Sequence, residues 1–372
     1  MKHFNHKLIS FFFLYFATQS LKASGLSELC TVSQIGDAPG IIFLNTPTWG
    51  TGSVNGNIVF NFFTPNYWSA GCVATSMAEV MAYFQWPLSG TGLVSYQEDD
   101  AGNLSVNFGV AEYYLDKVLD DYTGGYTSEQ RDLAAQISYH AAISVKMDFE
   151  SLGSTASTRD IDDALKKYFC YSASYTSDLD KLVADIKKNI QSGHPGIISL
   201  EYIDSYGNKH GHAVVADGYS EAYGYHLNMG WNGNSANGWY DIEGTFNAGG
   251  YDTVTGGVVD IIPIPAIDKE ITWYSEDSAR VSWSVSPKLQ SDYYQVQLLA
   301  PSGIWEIIAD TLYNQNTLVC LNETGTWSVR VRGYYDGRYC DFSESYKIKM
   351  GSDVEVVFTI DMGSELMAGN EW

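Results

Sequence analysis

The sequence predicts an α+β domain followed by a second domain built only of β-strands. Helical patterns lie between residues 72 and 191, and strand patterns follow from Gly196 to Ile262. Helices followed by a run of strands are typical of the α+β class with an antiparallel sheet. Beyond the linker Pro263-Ile264-Pro265 only alternating strand patterns remain. We therefore expect a first domain over residues 25–264 and a second over residues 265–350.

Composition and charge limit the classes of protein to which this chain can belong. Its 372 residues are enough for two or more domains, and a hydrophobic content of 45% is that of a globular protein. The formal net charge of −23 argues against nucleic acid and anionic membrane surfaces as partners.

The N-terminus predicts export. Lys2 and Lys7 precede an apolar run from Leu8 to about Ala17, and small and polar residues follow through Ser24. This pattern predicts a signal peptide over residues 1–24, and the apolar run is too short to span a membrane. No later stretch is long and apolar enough to do so, so we expect a secreted protein that is extracellular, periplasmic or on the cell surface.

Five cysteines are present, and their number and spacing are informative. Because five is odd, at least one thiol stays unpaired within the chain. Cys320 and Cys340 lie in the second domain, and the sequence leaves their pairing open. No C-x-x-C spacing indicates a metal site, and we expect neither a metal nor another cofactor.

Cys72 stands at the predicted start of a buried helix. Apolar residues recur at helical spacing after it, and Pro87 ends the run (Val73, Met77, Val80, Met81, Phe84). Gly71 allows a sharp turn just before the cysteine. At that point unpaired N–H groups and the helix dipole favour the thiolate, which a histidine would complete as a nucleophile. The alternative is that Cys72 is an ordinary buried core residue.

The other elements of the first domain follow from local patterns. Thr127 or Ser128, with Glu129 behind it, is typical of a helix N-cap. Helices are predicted at about residues 110–119, 127–147, 158–169 and 177–191, and strands at residues 196–202, 212–219, 225–231, 239–242 and 256–262.

The second domain alternates apolar and polar residues in short segments. The clearest segments are residues 279–285, 294–298 and 327–332. Such strands, separated by frequent turn signals, predict a β-sandwich. The layout resembles a fibronectin type III or similar immunoglobulin-like domain. Residues 354–362 form one more alternating segment, and the role of residues 351–372 stays open.

A histidine and an asparagine follow Cys72 at informative distances. His212 opens an apolar strand 140 residues after Cys72, within the separation of papain-like peptidases. Asn228 lies on the next predicted strand, from which its carbonyl oxygen could orient the imidazole. Trp231 could shield that bond from water. The alternative is that these are ordinary core histidines and a turn asparagine.

Three segments resemble the streptopain-like cysteine peptidases. They are Gly71–Thr75 with Met77–Met81 and Trp86-Pro87, Gly211–Tyr219, and His226–Gly233. The resemblance covers about residues 40–262 and implies a papain-like fold of two subdomains with endopeptidase activity on proteins or peptides. It implies that Cys72 is the nucleophile, His212 the acid and base, and Asn228 the residue that orients His212.

The chain departs from the family pattern in three places. Met229 stands where the family has a tryptophan, and Trp49-Gly50-Thr51 lacks the expected glutamine. The oxyanion would then be bound by the Cys72 N–H and by Asn66. The stretch between residue 25 and Cys72 is also too short for the family's inhibitory propeptide.

These departures keep a second hypothesis open. A weak or inactive member of the fold would bind peptides or a surface instead of cleaving substrates. The C-terminal domain is then a spacer, an adhesion module or the site of a surface partner.

Overall fold

The computed structural model describes residues 40–233 and 236–351. The predicted signal peptide and the strand at residues 354–362 lie outside this range. The described chain forms two compact units: residues 40–265 with 285–292 and 333–341, and residues 266–284 with 293–332 and 342–351. Within these residues no helix is long and apolar enough to cross a membrane.

Four α-helices form in the first unit. They are α1 (Cys72–Phe84), α2 (Ser128–Ser144), α3 (Ile161–Tyr168) and α4 (Leu179–Gln191), with short 3-10 turns at Pro65–Tyr67, Phe108–Val110 and Thr158–Asp160. Thr127 caps α2 in a capping box with Gln130.

The predicted helix at residues 110–119 is wrong. There the backbone bonds elsewhere: the Tyr113 N–H donates to the Leu88 carbonyl, and the Asn107 side chain accepts from the Gly109 N–H. Only the turn Phe108–Val110 is helical.

A seven-stranded antiparallel sheet is the main sheet of the first unit. The strands of this unit are β1 (Ile41–Phe43), β2 (Leu93–Glu98), β3 (Gly102–Asn107), β4 (Tyr171–Thr176), β5 (Gly196–Ile203), β6 (Lys209–Ser220), β7 (Gly224–Asn228), β8 (Gly238–Tyr240) and β9 (Thr253–Pro263). The sheet order is β4-β9-β5-β6-β7-β8, and β1 pairs with the far end of β6. Strands β2 and β3 form a separate hairpin, which the sequence analysis did not predict.

Strand β6 lies at the centre of this unit. Leu182, Ile186 and Ile190 of α4 belong to one buried cluster with the alternating residues Val214 and Ala216 of β6. Helix α1 also packs against β6. The helix that begins with Cys72 is thus placed beside the strand that carries His212.

The second unit is built from strands alone. The remaining strands of the described chain are β10 (Ala266–Ile267), β11 (Thr272–Ser275), β12 (Ser278–Ser284), β13 (Tyr293–Leu299), β14 (Trp305–Leu312), β15 (Asn316–Cys320), β16 (Gly325–Tyr335), β17 (Arg338–Tyr339) and β18 (Tyr346–Met350). Of these, the last residues of β16 and all of β17 belong to the first unit. Strands β10, β12, β11 and β15 form one sheet, and β14, β13, β16, β17 and β18 form another. Cys320 is an exposed free thiol, so it does not bridge Cys340.

Candidate active site

The segment before Cys72 is held in place by a buried asparagine. Asn61 accepts a hydrogen bond from the Ala70 N–H at 2.9 Å and donates one to the Thr51 carbonyl at 2.9 Å. The Ser69 hydroxyl accepts from the Gly71 N–H at 3.0 Å. Asn61 was missed by the sequence analysis, because no local pattern distinguishes it from the other asparagines of this region.

Gly71 makes the turn into α1, as predicted. Its φ of +83° lies in the left-handed region that favours glycine. A Cβ at this position would lie 2.8 Å from the Sδ and Cε atoms of Met147. The chain therefore needs glycine here for its backbone conformation, and a Cβ would also force the flexible end of the Met147 side chain to move.

We expect Gly71→Ala to lower both the stability and the activity of the protein. Backbone strain and the contact with Met147 together should cost about 1–3 kcal/mol of unfolding free energy. Gly56→Ala is a matched control, since Gly56 has a φ of +79° but no atom within 4 Å of the added Cβ. Thermal unfolding of the two variants checks this, and equal losses would contradict a role for the packing on Gly71.

The thiol of Cys72 meets β6 at the residue after His212. Its Sγ accepts a hydrogen bond from the Ala213 N–H at 3.4 Å. Burial raises the pKa of the Cys72 thiol, and the backbone N–H groups of Ala213, Val73 and Cys72 itself lower it by less. The stabilisation of the thiolate expected at the helix start is present, but desolvation outweighs it.

His212 is buried and held by a main-chain carbonyl. Its Nε2 lies 2.8 Å from the Met229 oxygen, and only 6% of the residue is exposed. Because a carbonyl oxygen can only accept, Nε2 carries the proton and Nδ1 keeps its lone pair in the neutral ring. Burial lowers the pKa of the imidazole, and the bond to Met229 opposes this by less. The resting ring is therefore a neutral base.

The structure corrects the expected bond between Asn228 and His212. Asn228 pairs with Val215 of β6, which lies three residues after His212. If this register continued, Trp231 would lie opposite His212. The Asn228 amide donates to Thr46 Oγ1 at 3.2 Å, the Pro47 carbonyl at 2.8 Å and Glu79 Oε1 at 3.2 Å. The Met229 carbonyl therefore takes the orienting position that the sequence analysis gave to Asn228.

Asn228 still supports the carbonyl that holds His212. Its Oδ1 accepts from the Gly230 N–H at 3.3 Å and from the Asn237 amide at 3.0 Å. Asn237 Oδ1 in turn accepts from the Met229 N–H at 2.9 Å. The peptide group that contains the Met229 carbonyl and the peptide group before it are thus both held by asparagine side chains.

Two aromatic rings lie against His212. The Trp231 ring is stacked on the imidazole with centroids 4.9 Å apart and planes at 25°. The Tyr251 ring is stacked on it at 5.0 Å and 24°. The sequence analysis expected Trp231 to shield a bond between His212 and Asn228, whereas its ring covers the imidazole itself. Tyr251 follows a glycine pair that gave no functional signal.

Asn66 and Thr51 are the two residues that bear on the expected oxyanion site. Asn66 is exposed and has a left-handed backbone with a φ of +50°. Thr51, at the position of the missing glutamine, donates its N–H to the Gly230 carbonyl at 3.2 Å. The oxyanion role of Asn66 stays a prediction. Among residues 40–233 and 236–351, no group of three His, Cys, Asp or Glu side chains is placed to hold a metal ion.

A buried polar cluster lies behind the site. Glu79 of α1 is fully buried, and its Oε1 accepts from the Trp49 N–H at 3.0 Å and from Asn228. Asp217 accepts from the Thr46 N–H at 3.1 Å and hydroxyl at 2.7 Å, and His226 Nδ1 lies 2.6 Å from its other oxygen. The cluster thus joins α1, β6, β7 and the chain that precedes α1.

The sequence of this chain is similar to those of known proteins. A model of the Peptidase C10 family matches residues 54–240. Streptopain from Streptococcus pyogenes is 30% identical over 223 residues, which cover 54% of each chain. The thiol protease/hemagglutinin PrtT from Porphyromonas gingivalis is 28% identical over 338 residues, covering 79% of this chain and 38% of PrtT.

A solved structure supports the same relationship. The structure of the active wild-type interpain A cysteine protease from Prevotella intermedia superposes on this chain with a TM-score of 0.52 at 30% identity. The match covers 58% of this chain and 92% of the interpain A chain. The chain spans about half the length of the streptopain that it matches. The family model covers half of the chain and includes Cys72, His212 and Asn228. The chain belongs to the Peptidase C10 family.

Proposed function

We propose that this protein is a secreted cysteine endopeptidase that hydrolyses peptide bonds through a thioester on Cys72. One observation carries the proposal. The thiol at the start of α1 accepts a hydrogen bond from the N–H of Ala213, the residue after His212. His212 Nε2 is held by the Met229 carbonyl, so Nδ1 is the basic nitrogen of its ring. This arrangement supports a nucleophile and a base that are carried by two neighbouring, rigid elements.

The reaction begins with proton transfer from Cys72 to His212. The sulfur attacks the carbonyl carbon of the substrate while His212 Nδ1 takes the thiol proton, and a tetrahedral oxyanion forms. We propose that the Cys72 N–H, at the positive end of α1, binds this oxyanion. The C–N bond then breaks, the imidazolium gives its proton to the leaving amine, and a thioester remains on Cys72.

Water completes the cycle. Nδ1 of His212 takes a proton from the water molecule as its oxygen attacks the thioester carbonyl. The C–S bond breaks, the carboxylic acid product leaves, and the proton returns to the sulfur. The imidazole stays bound to the Met229 carbonyl through both half-reactions, so its orientation is kept.

Active-site labelling tests this proposal. An epoxide inactivator of cysteine peptidases should modify the reduced protein once, at Cys72, and modification should be lost in Cys72→Ala. Labelling should slow by about 10²-fold or more in His212→Ala, because the base that activates the thiol is absent. Intact-mass and peptide-mass measurements check both results.

The exposed thiol of Cys320 provides the control for selectivity. Cys320→Ser should label as fast as the wild type. Labelling that is lost in Cys320→Ser would contradict an activated pair of Cys72 and His212. Equal labelling rates in the wild type and His212→Ala would contradict it too. A folded, reduced protein that takes no label would instead be a peptide-binding member of the fold.

We also propose secretion through the signal peptide at residues 1–24 and a fibronectin type III-like β-sandwich at residues 265–350. The presence of two separate sheets in this part of the chain supports the sandwich. The Trp283 and Tyr294 rings, from different sheets, lie 5.4 Å apart, as expected for facing layers. N-terminal sequencing of the exported protein tests the signal peptide, and a start at Met1 would contradict it.

A further inference from the structure

The turn before β9 lies beside Trp231, and the tyrosine that follows it lies beside His212. Ala248 and Tyr251 exchange backbone hydrogen bonds of 2.8 and 3.1 Å, so Gly249 and Gly250 form a two-residue turn. Their φ values of +61° and +103° fit a type I′ turn, which needs positive φ at both central residues. The Asn247 side chain accepts from the Gly250 N–H at 2.9 Å and closes the turn.

This turn packs directly on Trp231. A Cβ at Gly249 would lie 2.5 Å from Cζ3 of the Trp231 indole, so the backbone of the turn occupies the space beside the ring. Gly250, the next residue, has no atom within 4 Å of its Cβ position. The approach to Trp231 is therefore specific to Gly249.

The turn places Tyr251 beside His212. The Asp252 N–H donates to the Glu201 carbonyl of β5 at 3.3 Å, which anchors the chain directly after Tyr251. The Tyr202 ring packs edge-on against Tyr251 with centroids 5.2 Å apart. Tyr251 is thus supported from behind by β5 while its own ring is stacked on the imidazole.

We propose that Tyr251 is a positioning residue that acts through His212, an inference that rests on the proposed function. The imidazole can turn about its Cβ–Cγ bond, and only the single hydrogen bond from Nε2 to the Met229 carbonyl opposes that turn directly. The Tyr251 and Trp231 rings block this turn and exclude water from the ring. The imidazole is thereby kept with Nε2 on the carbonyl and Nδ1 available to the thiol.

The ring of Tyr251, rather than its hydroxyl, carries this role. Tyr251→Ala should lower kcat/KM on a peptide substrate by about tenfold, mainly through kcat, and Tyr251→Phe should restore most of the loss. Removal of the covering ring exposes the imidazole to water, so the acid limb of the pH–rate profile should move upward in Tyr251→Ala. A loss of folding alone would not move that limb.

A matched pair of glycine variants tests the contact between the turn and Trp231. Gly249→Ala forces a Cβ into the indole and should reproduce the loss seen in Tyr251→Ala. Gly250→Ala adds the same methyl group at a less favourable φ but in open space, so its effect on kcat/KM should be smaller. The reverse order would show that backbone strain, not the contact with Trp231, controls the site.

NMR of the histidine ring nitrogens tests this inference independently of the proposed function, because the measurement needs no catalysis. The His212 signals, assigned by their loss in His212→Gln, should show the Nε2–H tautomer in the wild type and a mixture of tautomers in Tyr251→Ala. Unchanged signals, or equal kinetic loss in Tyr251→Phe and Tyr251→Ala, would overturn the positioning role while peptidase activity stands. A wild type without activity would overturn the proposed function, and the tautomer comparison would still decide the role of Tyr251.

Discussion

Replacing His212 with alanine is expected to lower kcat/KM by about 10³-fold or more, because the variant loses the base for attack and the acid for departure of the amine. His210→Ala is the matched control on the same strand. The His210 side chain is partly exposed, and its Nε2 lies 3.1 Å from Asp204. Its loss should change kcat/KM by less than about threefold, as for other surface pairs.

Hydrolysis of a fluorogenic peptide by the two variants measures this difference. Both must be compared at equal folded fraction, which circular dichroism and a thermal midpoint establish. Retention of more than about a tenth of the wild-type rate by His212→Ala would contradict its role as base. Similar losses in both variants would indicate a general effect on the strand.

The pH dependence of the wild type follows from the same geometry. Because burial lowers the pKa of His212 below its ordinary value of 6.5, the imidazole stays neutral and basic down to a pH under 6.5. As the pH falls further the ring becomes protonated and cannot accept the thiol proton. The acid limb of kcat/KM should therefore lie below pH 6.5, and in His212→Ala this limb should disappear.

The elements that carry Cys72 and His212 could be predicted because each belongs to a strong local pattern. Cys72 opens a run with clear helical spacing, and His212 directly precedes the apolar part of β6, so periodicity alone gives their elements. Their approach then follows from the packing of α1 on β6. The predicted helix at residues 110–119 failed because the Tyr113 backbone bonds to Leu88, a long-range pairing that no local pattern shows.

The partner of His212 was beyond sequence reasoning for a different physical reason. Strand register decides which residue of β7 lies beside His212, and a three-residue offset puts Asn228 opposite Val215. A main-chain carbonyl then does what a side chain was expected to do, and any residue type can supply one. Tyr251 was missed similarly, because its position depends on how a glycine turn packs on Trp231.

Glu79 explains how the helix that carries Cys72 is joined to the strand that carries Asn228. Burial raises its pKa well above 4.5, and the nearby Asp217 raises it further, while hydrogen bonds from Trp49 and Asn228 oppose this by less. Its Oε2 is buried without a hydrogen-bond partner. An acid in this setting is stable when it is protonated and costs free energy when it is ionised.

Glu79 should therefore contribute less to the stability of the protein as the pH rises. In the unfolded chain Glu79 ionises near its ordinary pKa of 4.5, whereas in the folded chain it holds its proton to higher pH. Its contribution is fully present below pH 4.5 and is lost as the pH rises through the raised folded-state pKa. The sign is opposite to that of a carboxylate in a salt bridge.

Glu79→Gln should remove this pH dependence without removing the hydrogen bonds. A carboxamide oxygen accepts from the Trp49 N–H and the Asn228 amide as the carboxyl does, and both groups leave one buried polar atom without a partner. The glutamine variant should match the wild type near about pH 4 and exceed its thermal midpoint near about pH 8, where the ionised glutamate is most costly.

Glu79→Ala separates loss of the charge from loss of the acceptor. It leaves the Trp49 N–H and the Asn228 amide without their shared oxygen and opens a cavity in α1, so it should be about 2–4 kcal/mol less stable than Glu79→Gln at every pH. Thermal midpoints of the three proteins between about pH 4 and about pH 8 distinguish the two effects. If the wild type and Glu79→Gln lose stability in parallel across this range, the pH dependence belongs to other groups, and Glu79 is ionised in the folded protein at no cost.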